Sequence, residues 1–374
     1  MKKIKVIELF AGVGSQAMAL RNIGIDYEVI GISEIDKFAY KSYEAIHGKV
    51  KNFGDITKIN KLPYCDLLTY SFPCQDLSIA GHQKGINKDT RSGLLLEVER
   101  LLLKAKENRT LPKYLLLENV KNLVGKKFIK DFERWLSFLN NLGYYSNWEV
   151  LNAKDYGIPQ NRERIFVVSS LENMHYKFPN PVELKSKMKD LLEEKVNEKY
   201  YLSEQCLKYF TDTKNRNGFI RGEKFNPRKS EDCNMAFAIT TRAGSRPTDN
   251  FIIQLGNLKN TESFGGNPQT GRVYSPDGIS PCLNTMQGGG LEPKILQSED
   301  YKIRKLTPLE CWRLMGFSDN DYYAAKSVGT SNAQLYKQAG NSIVVTVLEA
   351  IFRNLFLKKH KKKRGIVAEQ IKIF

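Results

Sequence analysis

The chain has 374 residues, 41% hydrophobic and 26% charged, which is enough to bury a full core with room for a large domain and a smaller one. That balance is ordinary for a soluble globular protein. Lysine and arginine number 58 against 41 acidic residues, and the net charge of +17 favours a polyanion as partner, although the same surplus also serves solubility.

The first elements alternate. Residues 5–10 form a short β run, the turn Ala11-Gly12-Val13-Gly14 breaks it, and residues 16–23 have helical spacing that stops at Gly24. A second strand over 28–32 ends at Ser33-Glu34-Ile35-Asp36, and the next helix closes at Gly48. Strands are expected over 65–70, 114–117 and 165–168, with helices over 93–106 and 128–142 between them. Strands alternating this regularly with helices predict a parallel sheet covered on both faces. From about residue 170 the texture changes, and residues 210–300 are rich in Gly, Asn, Thr, Ser and Pro with short β-like runs such as 251–253. A smaller, loop-rich, mainly β domain is expected there, followed by helices over 307–315 and 343–357.

No apolar run is expected to span a bilayer, and the opening Met1-Lys2-Lys3-Ile4-Lys5 is a poor signal peptide, so the expected location is the cytoplasm. Six cysteines (65, 74, 206, 233, 282, 311) include no Cys-x-x-Cys pair, and the histidines at 47, 82, 175 and 360 are dispersed, so no metal site is expected. The run 358–364 reads as a solvated basic tail.

Several strand ends carry residues suited to chemistry. Glycines after the first strand let a backbone approach a ligand at the next helix N-terminus. Glu34 ends the second strand, where a carboxylate accepts from ribose hydroxyls, and Gly54-Asp55-Ile56 follows the next loop, where an acid suits an adenine amino group. Ala17 stands where a dinucleotide fingerprint requires a third glycine, which disfavours a pyrophosphate cofactor. Cys74, after the strand over 66–70 and held in an extended turn by Pro73, faces the carboxyl edge of the sheet; position alone leaves it between a buried structural thiol and a nucleophile. Glu118 ends an apolar strand where a carboxylate is costly to bury without a task or a partner. Arg162 and Arg164, at alternate positions, point the same way, either toward an anionic or carbonyl group or into ion pairs with Glu163 or Glu118.

Taken in order, Glu-Leu-Phe-Ala-Gly-Val-Gly (8–14), Pro-Cys-Gln (73–75), Glu-Asn-Val (118–120), Gln-Asn-Arg-Glu-Arg (160–164), Arg-Lys-Leu-Thr-Pro-Leu-Glu-Cys-Trp-Arg-Leu-Met-Gly-Phe (304–317) and Gln-Ala-Gly-Asn-Ser (338–342) resemble the motif set of the DNA cytosine-5 methyltransferase family. Glu8 stands where that family more often has Asp, and Ser15 where a Gly is common. The resemblance implies an α/β, Rossmann-like large domain that uses S-adenosylmethionine (1–190), a mainly β target-recognition domain (191–330), and a C-terminal helix completing the large domain (331–374). It implies that Phe10, Ala11, Gly12, Gly14, Glu34, Ile35, Asp55, Ile56, Pro73, Leu94, Asn341 and Ser342 line the cofactor, and that Cys74, Glu118, Arg162 and Arg164 act on the base.

By the same resemblance Cys74 adds to carbon 6 of a cytosine flipped out of double-stranded DNA. Gln75, Ser78, Lys84 and Arg91, in a basic loop over 75–92, are expected to close on the DNA, and Thr240, Thr241, Arg242 and Arg246 to read base edges. A tRNA cytosine-5 methyltransferase shares the motif order, but the long region over 210–300 favours DNA readout; a catalytically silent relative is disfavoured by retention of Cys74, Glu118, Arg162 and Arg164 together. The chain is expected to act as a monomer, either as the modification half of a restriction–modification pair with a cognate restriction endonuclease or as a solitary or phage-encoded enzyme, two readings that the sequence leaves equally open.

Overall fold

The early alternation builds one six-stranded sheet in the computed structural model, which describes residues 3–73, 91–174, 176–201, 254–257, 272–286, 291–297 and 302–358. Its strands are β1 (Ile4–Leu9), β2 (Tyr27–Ser33), β3 (Leu67–Tyr70), β4 (Tyr114–Val120), β5 (Tyr145–Asn152) and β6 (Glu163–Ser170), in the order β2-β1-β3-β4-β6-β5. β1 pairs in parallel with β2 and β3, and β3 with β4.

Covering helices explain why β3 and β4 are near-continuous apolar runs, since both of their faces are buried. Val6, Leu67, Leu116, Phe166 and Val168 face one apolar cluster, and their neighbours Ile7, Leu68, Leu115, Leu117, Ile165 and Val167 face the other. This is the two-residue period of a strand buried on both sides. α1 (Ser15–Asn22) packs on the first face, with α2 (Lys37–His47) following β2; α3 (Leu95–Glu107) and α4 (Ile129–Asn141) cover the second.

The sheet is mixed rather than wholly parallel, because β6 runs antiparallel to both β4 and β5. β5 keeps the direction of β4, as expected of two strands joined through a helix, and β6 fills the slot between them in reverse. That reversal brings the start of β6 beside the end of β4: Val120 lies opposite Arg164, and Glu118 opposite Phe166. β5 has no counterpart in the sequence reading. Ser146, Asn147 and Glu149 break its apolar pattern, and as an edge strand it leaves Tyr145 and Trp148 nearly half exposed, at 47% and 45%.

Beyond residue 250, β7 (Gln254–Asn257), β8 (Arg272–Tyr274), β9 (Lys294–Gln297) and β10 (Lys302–Lys305) form a second sheet in the order β10-β9-β8-β7. The β-like run over 251–253 lies outside the described residues. Four helices follow: α5 (Pro308–Arg313), α6 (Asp319–Ser327), α7 (Asn332–Asn341) and α8 (Val345–Phe352). Thr307 and Glu310 cap α5 reciprocally, and the buried Glu310 carboxylate also receives Arg304 through two nitrogens at 2.8 and 2.7 Å.

α6 and α7 are bolted to the front of the large sheet. Arg21 pairs with Asp321 at 2.9 Å and Lys337 with Asp36 at 2.7 Å, while Gln338 Nε2 donates to the Phe38 carbonyl at 3.2 Å. The expectation that no run is long enough to cross a membrane is corrected: the 26 residues of Asn332–Leu357 are long and apolar enough by composition. The most apolar part is 61% buried within the fold, and α8 packs into the first core cluster through Val345, Leu348 and Ile351.

Candidate active site

At the carboxyl end of β1 the chain turns through left-handed conformations at Phe10 (φ 58), Gly12 (φ 57) and Gly14 (φ 83). A bulky residue such as Phe10 rarely adopts that conformation, and such strain concentrates at functional sites. The turn presents the Gly12 N–H to Glu34 Oε2 at 2.8 Å, and the Asp36 N–H reaches Glu34 Oε1 at 2.7 Å. Burial pushes the Glu34 carboxyl up, and the N–H groups of Asp36 and Gly12 oppose the shift. Each Glu34 oxygen thus has one lone pair fixed by the backbone, and a carboxylate oxygen accepts more than one bond. A pair of vicinal hydroxyls suits the remainder.

Asn52 welds this carboxylate to the next loop. Its Oδ1 accepts from Glu34 N at 3.1 Å and Gly54 N at 2.9 Å, and its Nδ2 donates to the Glu34 carbonyl at 2.9 Å. The Ser33 hydroxyl adds a bond of 2.7 Å to the Gly54 carbonyl. Asp55 follows, with its carboxyl held below the ordinary value by the Thr57 N–H and hydroxyl. Ile35 is 76% exposed, an apolar surface for a planar ring. Ala11 and Ile56, expected at the pocket, place their side chains in the core at 5% and 3% exposure.

Gly14 is glycine for packing reasons as well: a Cβ there would overlap His47 Nε2 and come within 2.6 Å of Tyr43 Cε2. Beneath the turn lies Glu8, fully buried, and among the described residues neither carboxylate oxygen has a partner at hydrogen-bond geometry. Burial lifts it to about 7, and the nearby Tyr43 hydroxyl and Ala17 N–H offset this only in part.

This donor set fits S-adenosylmethionine. Glu34 and Asp55 supply acceptors for sugar hydroxyls and an amino group, and their negative charge suits a sulfonium cation and repels a pyrophosphate.

A second group gathers where β4 and β6 meet. Glu118, 8% exposed, has its carboxyl pushed up by burial against the pull of Arg164, Arg162 and the Ser71 hydroxyl. Arg164 Nε lies 3.4 Å from Glu118 Oε1. The alternative partner Glu163 pairs instead with Lys121 at 2.9 Å. Next to Glu118, Asn119 Nδ2 donates to the Phe72 carbonyl at 3.0 Å and so fixes the entry to Pro73.

Arg162 is spent on the backbone. Nη1 donates to the Leu283 carbonyl at 2.8 Å, and Nη2 to those of Gly340 and Ser342 at 2.9 and 2.8 Å. It therefore joins the approach to β6, the segment after β8 and the end of α7. Gln160, wholly buried, makes a parallel tie: Nε2 donates to the Leu314 carbonyl at 2.7 Å and Oε1 accepts from Leu283 N at 3.1 Å. Ser342 is buried and donates from Oγ to the Gln338 carbonyl at 2.7 Å, whereas Asn341 is exposed. Leu94, half-buried, precedes the first turn of α3.

Cys74, Gln75, Ser78, Lys84, Thr240, Thr241, Arg242 and Arg246 lie outside the described residues; Arg91 opens the short helical turn Arg91–Leu94. Asn52, Asn119 and Gln160 are the positioning groups that sequence reasoning passed over. Asn119 and Gln160 stood within quoted motifs without a task, and nothing in the local pattern singled out Asn52.

The profile described as "C-5 cytosine-specific DNA methylase" matches residues 4–357. The orphan methyltransferase M.SPBetaI of Bacillus phage SPbeta is 32% identical over 462 residues, covering 95% of this chain and 98% of the relative. The type II methyltransferase M2.ScrFI of Lactococcus lactis subsp. cremoris is 35% identical over 411 residues, covering 94% and 99%. Among solved structures, the Entamoeba histolytica methyltransferase EhMeth superposes with a TM-score of 0.68 at 19% identity, covering 96% of this chain and all of that one, a likeness of fold.

Proposed function

The chain belongs to the C-5 cytosine-specific DNA methylase family, and from that premise we propose how its own residues carry the reaction. Enzymes of this family methylate carbon 5 of cytosine in DNA and take the methyl group from S-adenosylmethionine. That cofactor, when bound, supplies an electrophilic methyl group. The turn at Phe10–Gly14, with Glu34 and Asp55, would hold it by its sugar and base.

Carbon 5 of cytosine is too poor a nucleophile to accept a methyl group directly. Addition of the Cys74 thiolate at carbon 6 moves electron density onto carbon 5, and this is the task assigned to Cys74. Glu118 holds ring nitrogen N3 and the exocyclic amine; its raised affinity for a proton suits a group that must donate to N3. Arg164 binds O2 and the charge that develops there, supported from behind by Arg162. Loss of the carbon-5 proton and of Cys74 then restores the aromatic ring. The target base must first leave the stack, at a cost of a few kcal/mol that DNA contacts offset.

The observation that carries this reading is the juxtaposition of Glu118 and Arg164 at the carboxyl edge of a sheet whose first turn builds the Glu34 pocket. The division into a large domain over 1–190 and 331–374 and a recognition domain over 191–330 belongs to the same reading. So does a monomeric, cytoplasmic enzyme that protects host DNA beside a restriction endonuclease; the type II relative favours that pairing, and the orphan phage relative favours a solitary enzyme. Bisulfite sequencing of a plasmid treated with purified protein tests it. Methylated cytosines within one short sequence are expected, and none with Cys74→Ala, which should still bind DNA. Full activity of Cys74→Ala, or methylation of tRNA and not of duplex DNA, would overturn it.

A further inference from the structure

Behind Glu118 and Arg164 lies a thiol that the reaction scheme does not use. Cys282 stands in the segment between β8 and β9, half-buried, with Sγ 3.4 Å from Arg162 Nη1 and 3.6 Å from Arg164 Nη2. It thus touches the guanidinia of both Arg162, just before β6, and Arg164, within it.

Charge balance gives this contact its meaning. Among the described residues, the ionisable groups that face it are Arg162, which precedes β6, Arg164 on β6 and Glu118 on β4, whose carboxyl burial inclines to keep its proton. Buried charge of one sign is costly unless it is compensated. Burial, the largest single influence, pushes the Cys282 thiol up, yet Arg162 and then Arg164 bring it below the ordinary thiol value. As a neutral thiol Cys282 can donate to the Leu283 carbonyl at 3.6 Å, but that oxygen already accepts from Arg162 at 2.8 Å, so ionisation leaves no acceptor stranded.

We infer that Cys282 is a positioning residue for methyl transfer, its sulfur accepting from both Arg162 and Arg164 and so fixing the guanidinium assigned to O2 of the base. The inference rests on the role proposed for Arg164. It also explains how the recognition segment reports to the chemistry: Cys282 and Leu283 reach the site only when that segment is seated against β6 and the end of α7.

Two measurements test this on the full-length enzyme. In the first, alkylation by iodoacetamide is followed across pH by mass spectrometry of the Cys282 peptide, in wild type and in Arg164→Ala. The wild-type midpoint should fall below that of an ordinary thiol and move upward in the variant; an ordinary midpoint that Arg164→Ala leaves in place would overturn the contact. In the second, kcat and KM are measured on duplex DNA for Cys282→Ala, Cys282→Ser and Cys282→Asp. Cys282→Ala and Cys282→Ser should lose kcat on the order of 10- to 100-fold, as misplacing a catalytic group does, with KM little changed. Cys282→Asp, which restores the negative charge, should recover part of the loss. Wild-type kcat in Cys282→Ala beside an inactive Arg164→Ala would sink the inference and leave the proposed function standing. Full activity in both variants would remove the role of Arg164 itself. Where a variant fails to fold, the alkylation measurement on wild type still decides.

Discussion

Arg164 Nε lies 3.4 Å from Glu118 Oε1 because β6 runs against β4, which sets the start of one strand beside the end of the other. In a wholly parallel sheet the arginine would sit at the far edge, a strand length away. The ion pair holds both groups within reach of one small planar ring.

Arg164→Ala should therefore lower kcat by about 10²- to 10³-fold, the usual loss when one donor to a developing oxyanion is removed. Arg164→Lys should recover little, since an ammonium cannot reproduce the planar fork. Arg164 is the chief group drawing the Glu118 carboxyl down, so the pH–rate limb that reports Glu118 should shift to higher pH in Arg164→Ala. Steady-state assays with radiolabelled methyl donor read both effects; an unshifted limb would separate Glu118 from the profile.

Arg162 should behave differently, as a structural tie first. Its three bonds to the carbonyls of Leu283, Gly340 and Ser342 are lost in Arg162→Met. Hydrogen bonds to a charged donor contribute roughly 1.5–3 kcal/mol each, and relaxation recovers part, so a loss of about 3 kcal/mol is expected in denaturant unfolding. A loss of kcat with unchanged stability would instead place Arg162 in contact with the base.

The same junction should reject a methyl group. A Cβ on Gly340 would overlap the Asn284 carbonyl and lie 2.7 Å from Thr285 N, both backbone groups that cannot rotate away. Gly340→Ala should cost about 1–3 kcal/mol of stability, as overpacking does, and lower activity by displacing Cys282 and Leu283. Gly329→Ala, where nothing lies within 4 Å of the added atom, is the comparison: its left-handed φ of 81° costs stability without moving that segment.

Much of this was legible in the sequence, for physical reasons. Strands β3 and β4 are continuous apolar runs because both faces are covered, and Glu118 stands out as a carboxylate after the apolar part of β4. β5 was not legible, because an edge strand need bury little and its Ser146, Asn147 and Glu149 read as loop. The reversal of β6 was equally hidden: direction depends on which slot in the sheet is vacant, a tertiary fact with no local signature. Asn52, Gln160 and Cys282 owe their roles to partners 18, 154 and 120 positions away in the chain, which no local spacing encodes.

Asn52→Ala should raise KM for S-adenosylmethionine while leaving kcat at saturating cofactor close to wild type. Asn52 makes three bonds at 2.9–3.1 Å that join the Glu34 and Gly54 loops, and it touches neither β4 nor β6. Losing it frees Glu34 from the loop that carries Asp55. Calorimetric titration with the cofactor and no DNA should show the same weakening; unchanged affinity would remove Asn52 from the pocket's frame.

Glu8 makes stability depend on pH in a sense opposite to an ordinary salt-bridged acid. Burial raises its carboxyl from 4.5 to about 7. Below the lower value both folded and unfolded chains hold the proton, so nothing is lost. As pH rises toward about 7 the unfolded chain releases its proton and the folded one does not, so stability falls across this window and levels off above it. The full loss is about 3 kcal/mol at roughly 1.4 kcal/mol per pH unit. His47, pushed down from 6.5 to about 4 by burial, pulls the other way, losing stability as pH falls through that range. Comparing Glu8→Gln with wild type cancels the His47 contribution. The variant should match wild type in mild acid and exceed it by up to about 3 kcal/mol in mild base, measured by urea unfolding at each pH. A difference that does not vary with pH would mean that Glu8 is ionised in the fold and has found a partner.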